Sequence, residues 1–157
     1  MVVATLVSGW AVWADAATKV GDAFPSLASF GVEGNLPDVK GKVVVVDFWA
    51  SWCAPCKASF PALQRLHDRF HKRGVEVMAI NVDTKREAMR RFLEEHPVSF
   101  TVVRDATSRV VEMVAPEAMP TSLIVDRQGR VVALHTGFKG EETEQALIEE
   151  IEKCLRR

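Results

Sequence analysis

The sequence predicts an α/β domain, a central mixed β-sheet flanked by helices with an N-terminal β-hairpin extension. Three observations predict it. Val43-Val44-Val45-Val46-Asp47-Phe48-Trp49 is a β-branched and aromatic run with almost no alternation, as a strand covered on both faces requires. A helical stretch follows and then a second apolar strand, Val75 to Val82. Strand, helix, strand in this succession implies parallel pairing through a right-handed crossover. Later, Thr121 to Asp126 and Val131 to Thr136 flank Arg127-Gln128-Gly129-Arg130, a turn whose glycine favours an antiparallel hairpin.

The elements follow in order. Residues 2–14 are uncharged and apolar, and Ala14-Asp15-Ala16 has the small-x-small form of a cleavage site. The run is too short to span a bilayer but long enough for the core of an export signal. Residues 1–16, with Trp10 and Trp13, therefore read as a leader, and 17–157 as the domain. The competing reading makes this run an apolar strand or helix of the fold. From Gly21 to Lys42 the chain is broken by Pro25, Gly31, Gly34, Pro37 and Gly41, which suggests the small hairpin ahead of the main sheet. After the valine strand, Phe60, Leu63, Leu66 and Phe70 recur at helical spacing over residues 55–73, and Gly74 is placed to stop that helix. Thr84 to Glu95 is a charge-laced helix ended by His96-Pro97. Phe100 to Arg104 reads as a strand and Ser108 to Met113 as a short helix. The chain closes with a helix over 141–155, whose stripe is Leu147, Ile148, Ile151 and Leu155.

Composition removes several function classes. The 157 residues are 48% apolar and 26% charged, with a net charge of −1, so the chain can bury a sizeable core without disulfide staples. Basic residues are interleaved with acids, as in Lys85-Arg86-Glu87, and leave no nucleic-acid footprint. The three cysteines are too few for a disulfide scaffold.

Two of them form Trp52-Cys53-Ala54-Pro55-Cys56-Lys57, between the buried strand and the start of a helix. Cys53 falls at the helix N-terminus, where free backbone N–H groups and the positive dipole end favour thiolate over thiol. It is the expected nucleophile. Cys56, one turn on, is the expected resolving thiol, and Pro55 fits a first turn that does not need its N–H. A structural zinc site, a static disulfide and a Cu(I) module built on the same two thiolates are the competing readings. Asp47, in a valine-rich strand, is poorly solvated, which should raise its pKa and suits a base for Cys56. The alternative is a strand-end carboxylate exposed to water.

The segment VVVVDFWASWCAPCKASFP resembles the active-site region of the thioredoxin superfamily. The leader and Gly21-Asp22-Ala23-Phe24-Pro25 resemble its exported TlpA/ResA/CcmG branch. The resemblance runs from about Gly21 to the C-terminus. It implies a thioredoxin-like fold and a thiol-disulfide oxidoreductase whose redox group is a Cys53–Cys56 disulfide, with no other cofactor and no metal. It implies that Asp47 is the buried acid near the resolving cysteine, that Trp49 and Trp52 frame the site, and that Pro61 bends the active-site helix. Pro120, in Met119-Pro120-Thr121, is implied to be the cis-proline facing the disulfide. Trp52, Ala54, Pro55, Met119 and Thr121 would then contact substrate. Ser59 stands where several branch members carry a glutamate, and Val114-Ala115-Pro116-Glu117-Ala118 departs from the branch's usual approach to the proline.

By that resemblance the protein is a monomeric reductant of protein disulfides in the periplasm or on the extracytoplasmic face of the membrane. Its clients would be cysteine-containing proteins such as apocytochrome c or a metal-site protein, and a membrane thiol-disulfide carrier would re-reduce it. Elsewhere Cys154 reads as a small buried hydrophobe, and His67 and His71 as a solvated helix face.

Overall fold

A computed structural model describes residues 17–157; the leader assigned to 1–16 lies outside the described residues. The chain runs β1 (Val43–Trp49), α1 (Ala54–Phe70), β2 (Val75–Asn81), α2 (Arg86–Glu95), β3 (Thr101–Arg104), α3 (Arg109–Val114), β4 (Thr121–Val125), β5 (Val131–Thr136) and α4 (Glu141–Leu155). The five strands form one sheet in the order β3-β2-β1-β4-β5. β1, β2 and β3 are parallel, and β4 and β5 are antiparallel to their neighbours. The sheet is therefore mixed and β1 central, as its unbroken apolar run requires: all seven of its residues are buried.

Alternation along β1 splits the core in two. Val43, Val45 and Trp49 face a cluster with Phe60, Leu63, Leu66 and Phe70 of α1, Phe92 of α2, and Leu147, Ile151 and Cys154 of α4. Val44, Val46 and Phe48 face the other cluster, with Val110 and Val114 of α3 and Leu27 of a 3-10 turn, Leu27–Phe30. The period-2 geometry of a strand dictates this division. α1 passes into a 3-10 turn, His71–Arg73, and ends at Gly74, whose φ of 84° is a left-handed stop.

The N-terminal segment corrects one expectation. Among the described residues it forms no hairpin. Ala23 bridges to Arg130 beside β5, and Glu33 bridges to Arg104 of β3, so the segment crosses the second sheet face from one edge to the other. Its apolar pieces are too short to pair with one another and instead cover the sheet, with Phe24, Leu27, Phe30 and Val32 in the second cluster. Among the described residues no helix is long and apolar enough to cross a membrane.

Candidate active site

β1 ends in the core at Trp49, and the chain turns through Ala50-Ser51-Trp52 to deliver Cys53 to the head of α1. Cys53 is the N-cap of that helix: its backbone is extended (φ −92°, ψ 105°), and its Sγ accepts the Cys56 backbone N–H at 3.2 Å. The sulfur thus occupies the place a serine or aspartate oxygen takes at other helix starts. Cys53 and Cys56 are joined in a disulfide with Cα atoms 5.2 Å apart. Cys53 is 6% exposed and Cys56 fully buried, so only the first sulfur can meet a protein partner.

A groove of about 730 Å³ opens over Cys53, with Trp52, Ala54 and Pro55 on one wall and Val111, Glu112 and 115–119 on the other. Trp52 is 71% exposed at its rim. The Met119–Pro120 bond is cis; Met119 lines the groove and Pro120 is buried. Two expectations need correction. Thr121 is fully buried and its hydroxyl donates to the Ala118 carbonyl at 2.6 Å, so it shapes the turn and offers no side-chain contact to the groove. Trp49 does not frame the surface. It is fully buried against Phe60 and Phe92, with ring centroids 4.6 and 4.8 Å away, and so supports the catalytic helix from below.

Asp47 is completely buried. It points to the sheet face on which Cys56 is packed, since its alternate neighbours Val45 and Trp49 belong to that cluster. Its Oδ1 accepts the Ser122 hydroxyl at 2.6 Å, and its Oδ2 has no protein partner. Burial pushes its pKa up to about 7, against the smaller lowering by the Ser122 hydrogen bond. A carboxyl at that value can exchange a proton near neutrality.

Sequence reading missed the polar clasp beneath the active-site loop. Asp83, 3% exposed, accepts the Ser51 backbone N–H at 3.2 and 3.1 Å on its two oxygens, the Ser51 hydroxyl at 3.1 Å, and the Asn81 side-chain amide at 2.9 Å. Arg104 donates to the Asp83 and Thr84 carbonyls at 3.0 and 3.1 Å and pairs with Glu33 at 2.9 Å. The two arginines Arg104 and Arg86 hold the Glu33 carboxyl down to about 2. The one local signal was Asn81-Val82-Asp83, in which the Asn81 side chain accepts the Asp83 N–H at 3.0 Å, a turn chemistry of Asn.

Of the remaining residues singled out by the sequence, only Ser59 touches the cysteine pair. Ser59 is buried and donates to the Cys56 carbonyl at 2.9 Å, so that position supplies a hydroxyl and no carboxylate. Pro61 lies inside α1. His67 and His71 stack with centroids 4.7 Å apart, and among the described residues no three metal-ligating side chains cluster. Cys154 is buried, which pushes its thiol up.

Comparison with known proteins follows the same lines. The Redoxin family model matches residues 19–150. The thiol-disulfide oxidoreductase ResA of Bacillus thuringiensis subsp. konkukian is 30% identical over 138 residues, 86% of this chain and 78% of the relative. ResA of Geobacillus thermodenitrificans is also 30% identical over 138 residues, covering 86% and 79%. A crystal structure described as a thiol:disulfide interchange protein DsbE from Chlorobium tepidum superposes with a TM-score of 0.81 at 35% identity, over 88% of this chain and 99% of that one. A solution structure from Bacteroides thetaiotaomicron shares the fold with a TM-score of 0.77 at 21% identity, over 89% and 92%.

Proposed function

The chain belongs to the Redoxin family, within the thioredoxin superfamily, and is a thiol-disulfide oxidoreductase; from that premise we propose that it reduces protein disulfides outside the cytoplasm. The observation that carries the reading is the pair of sulfurs at the head of α1, the outer one opening on a groove and the inner one sealed. In the reduced protein the Cys53 thiolate attacks a client disulfide, forming a mixed disulfide and releasing one client thiolate. Cys56 gives its proton to Asp47 and attacks the Cys53 sulfur. That step restores the Cys53–Cys56 disulfide and frees the second client thiolate, so two electrons pass to the client. The cysteine pair is the whole redox group, with no further cofactor.

The direction rests on Ala54 and Pro55. Neither adds a charged or donating group that would favour the thiolate form beyond what the helix terminus provides, so the disulfide is a poor oxidant. Backbone groups of Met119 pair with an extended client segment laid between Trp52 and the 115–119 wall. The clients are oxidised cysteines of apocytochrome c or of a metal-site protein. A membrane thiol-disulfide carrier returns the protein, a monomer, to its reduced state. The test is trapping. Full-length Cys56→Ala expressed in the native host should accumulate client proteins linked to Cys53, and Cys53→Ser should accumulate none. Cytochrome precursors among the adducts support the maturation role, a broad client set points to general reduction, and the absence of any adduct overturns exchange.

A further inference from the structure

A client disulfide meets Cys53 only by entering the groove above it, and the two walls of that groove differ in chemistry. Trp52, Ala54 and Pro55 make an apolar wall beside the sulfur. The facing wall brings in Glu112 of α3 and Glu117 of the loop before Pro120. Every other lining side chain is apolar, so among the described residues the groove carries two negative charges and no positive one. The cations closest to it in sequence are engaged elsewhere. Lys57 lines a separate hollow with Phe60, Gln64 and His96, and the Arg109 guanidinium lies over the Phe30 ring, 5.3 Å from its centroid.

Both glutamates are available to a partner. Glu33, Glu144 and Glu152 are each held by arginines of this chain. Glu112 and Glu117 are exposed, and among the described residues neither enters an ion pair. In the free protein water solvates them. A client segment that fills the groove displaces that water, and a carboxylate dried without a partner is costly. A lysine or arginine on the client supplies the partner through a charge-assisted hydrogen bond. Its aliphatic stem suits the apolar lining, and the exposed ring of Trp52 is itself a surface to which cations are attracted. A client carboxylate in the same place meets two like charges instead.

We propose that Glu112 and Glu117 select clients that carry a lysine or arginine beside the oxidised cysteine. The inference rests on the exchange at Cys53 assigned above, which brings the client into this groove; the two carboxylates decide which client is accepted. They make and break no bond to sulfur. Their effect therefore falls on the encounter and on the salt dependence of the rate, as for charges at the rim of an interface.

Two short cyclic peptides, each closed by one disulfide and differing only in a lysine or a glutamate beside a cysteine, serve as probes. The second-order rate at which the reduced full-length chain reduces each is measured, and the preference is the lysine-peptide rate divided by the glutamate-peptide rate. The lysine's influence on the peptide's own disulfide, and the attraction of the Cys53 thiolate for it, enter parent and variants alike. The change in preference therefore isolates the two glutamates. Glu112→Gln combined with Glu117→Gln should lower the preference by about three- to tenfold at low salt, and Glu112→Lys combined with Glu117→Lys should lower it further. The gap between parent and variants should close at about 1 M salt, where the screening length is about 3 Å. Each preference is a ratio within one protein, so a loss of folded material cancels from it. An unchanged preference in both double variants at low salt overturns the selection and leaves exchange at Cys53 standing. Failure of the parent chain to reduce either peptide overturns both.

Discussion

Asp47 sets the sharpest expectation at the level of single residues. Its pKa is raised from 3.8 to about 7 in the folded chain, first of all by burial. The folded state therefore holds this proton more tightly than the unfolded one, and stability falls as pH rises between those two values. The contribution is whole below about pH 4 and gone above about pH 7. Asp47→Asn should accordingly raise the unfolding free energy of the oxidised protein above neutrality, by about 4 kcal/mol at most. The gain should shrink toward zero in acid. Urea titrations of both proteins at a series of pH values check it, and a gain that grows on acidification would contradict the burial argument. Asp47 and the two cysteines were legible in the sequence because each announces itself locally, as a carboxylate in a run of valines or as a pair one turn apart. Ser122 was not. Its hydroxyl matters only through the register that sets it opposite Asp47, a fact of strand pairing and not of its own neighbours.

Among the elements, legibility tracked how strongly an apolar pattern committed each segment. β1, with its continuous valines, and α4, with its stripe over Leu147, Ile148 and Ile151, lie where the pattern set them. The segment before β1 did not follow its turn residues, because glycine and proline mark breaks without saying what the pieces between them pack against. The clasp of Asp83 on Ser51 was equally hidden, since it joins the end of β2 to the loop after β1 across 32 residues of chain. It ties the approach to Cys53 to the sheet. Asp83→Ala leaves the Ser51 N–H, its hydroxyl and the Asn81 amide without their acceptor, and should lower stability by about 1–3 kcal/mol. Ser51→Ala removes only the hydroxyl bond and should cost less. Denaturant unfolding of the two variants measures the difference, and equal costs would deny the backbone bond its part.

The whole molecule is organised around β1, which both core clusters share. Its opening therefore requires both layers to come apart, and the expected order of amide exchange follows from that position. Protection should be greatest in β1 and β4, with opening free energies equal to global unfolding, and weaker in β3 and β5 at the edges. Hydrogen exchange read by mass spectrometry or NMR checks the ranking, and an edge strand outlasting β1 would contradict it. The cap at the head of α1 carries a consequence of another kind. Cys53 receives the Cys56 N–H only when the helix behind it has formed, and the favourable field at that terminus exists only while α1 is held against the sheet. A chain fresh from synthesis carries ordinary cysteines, with thiols near pKa 8.5. The sharpened sulfur arrives with the finished architecture, so an immature copy lacks the weapon with which it could seize the wrong partner.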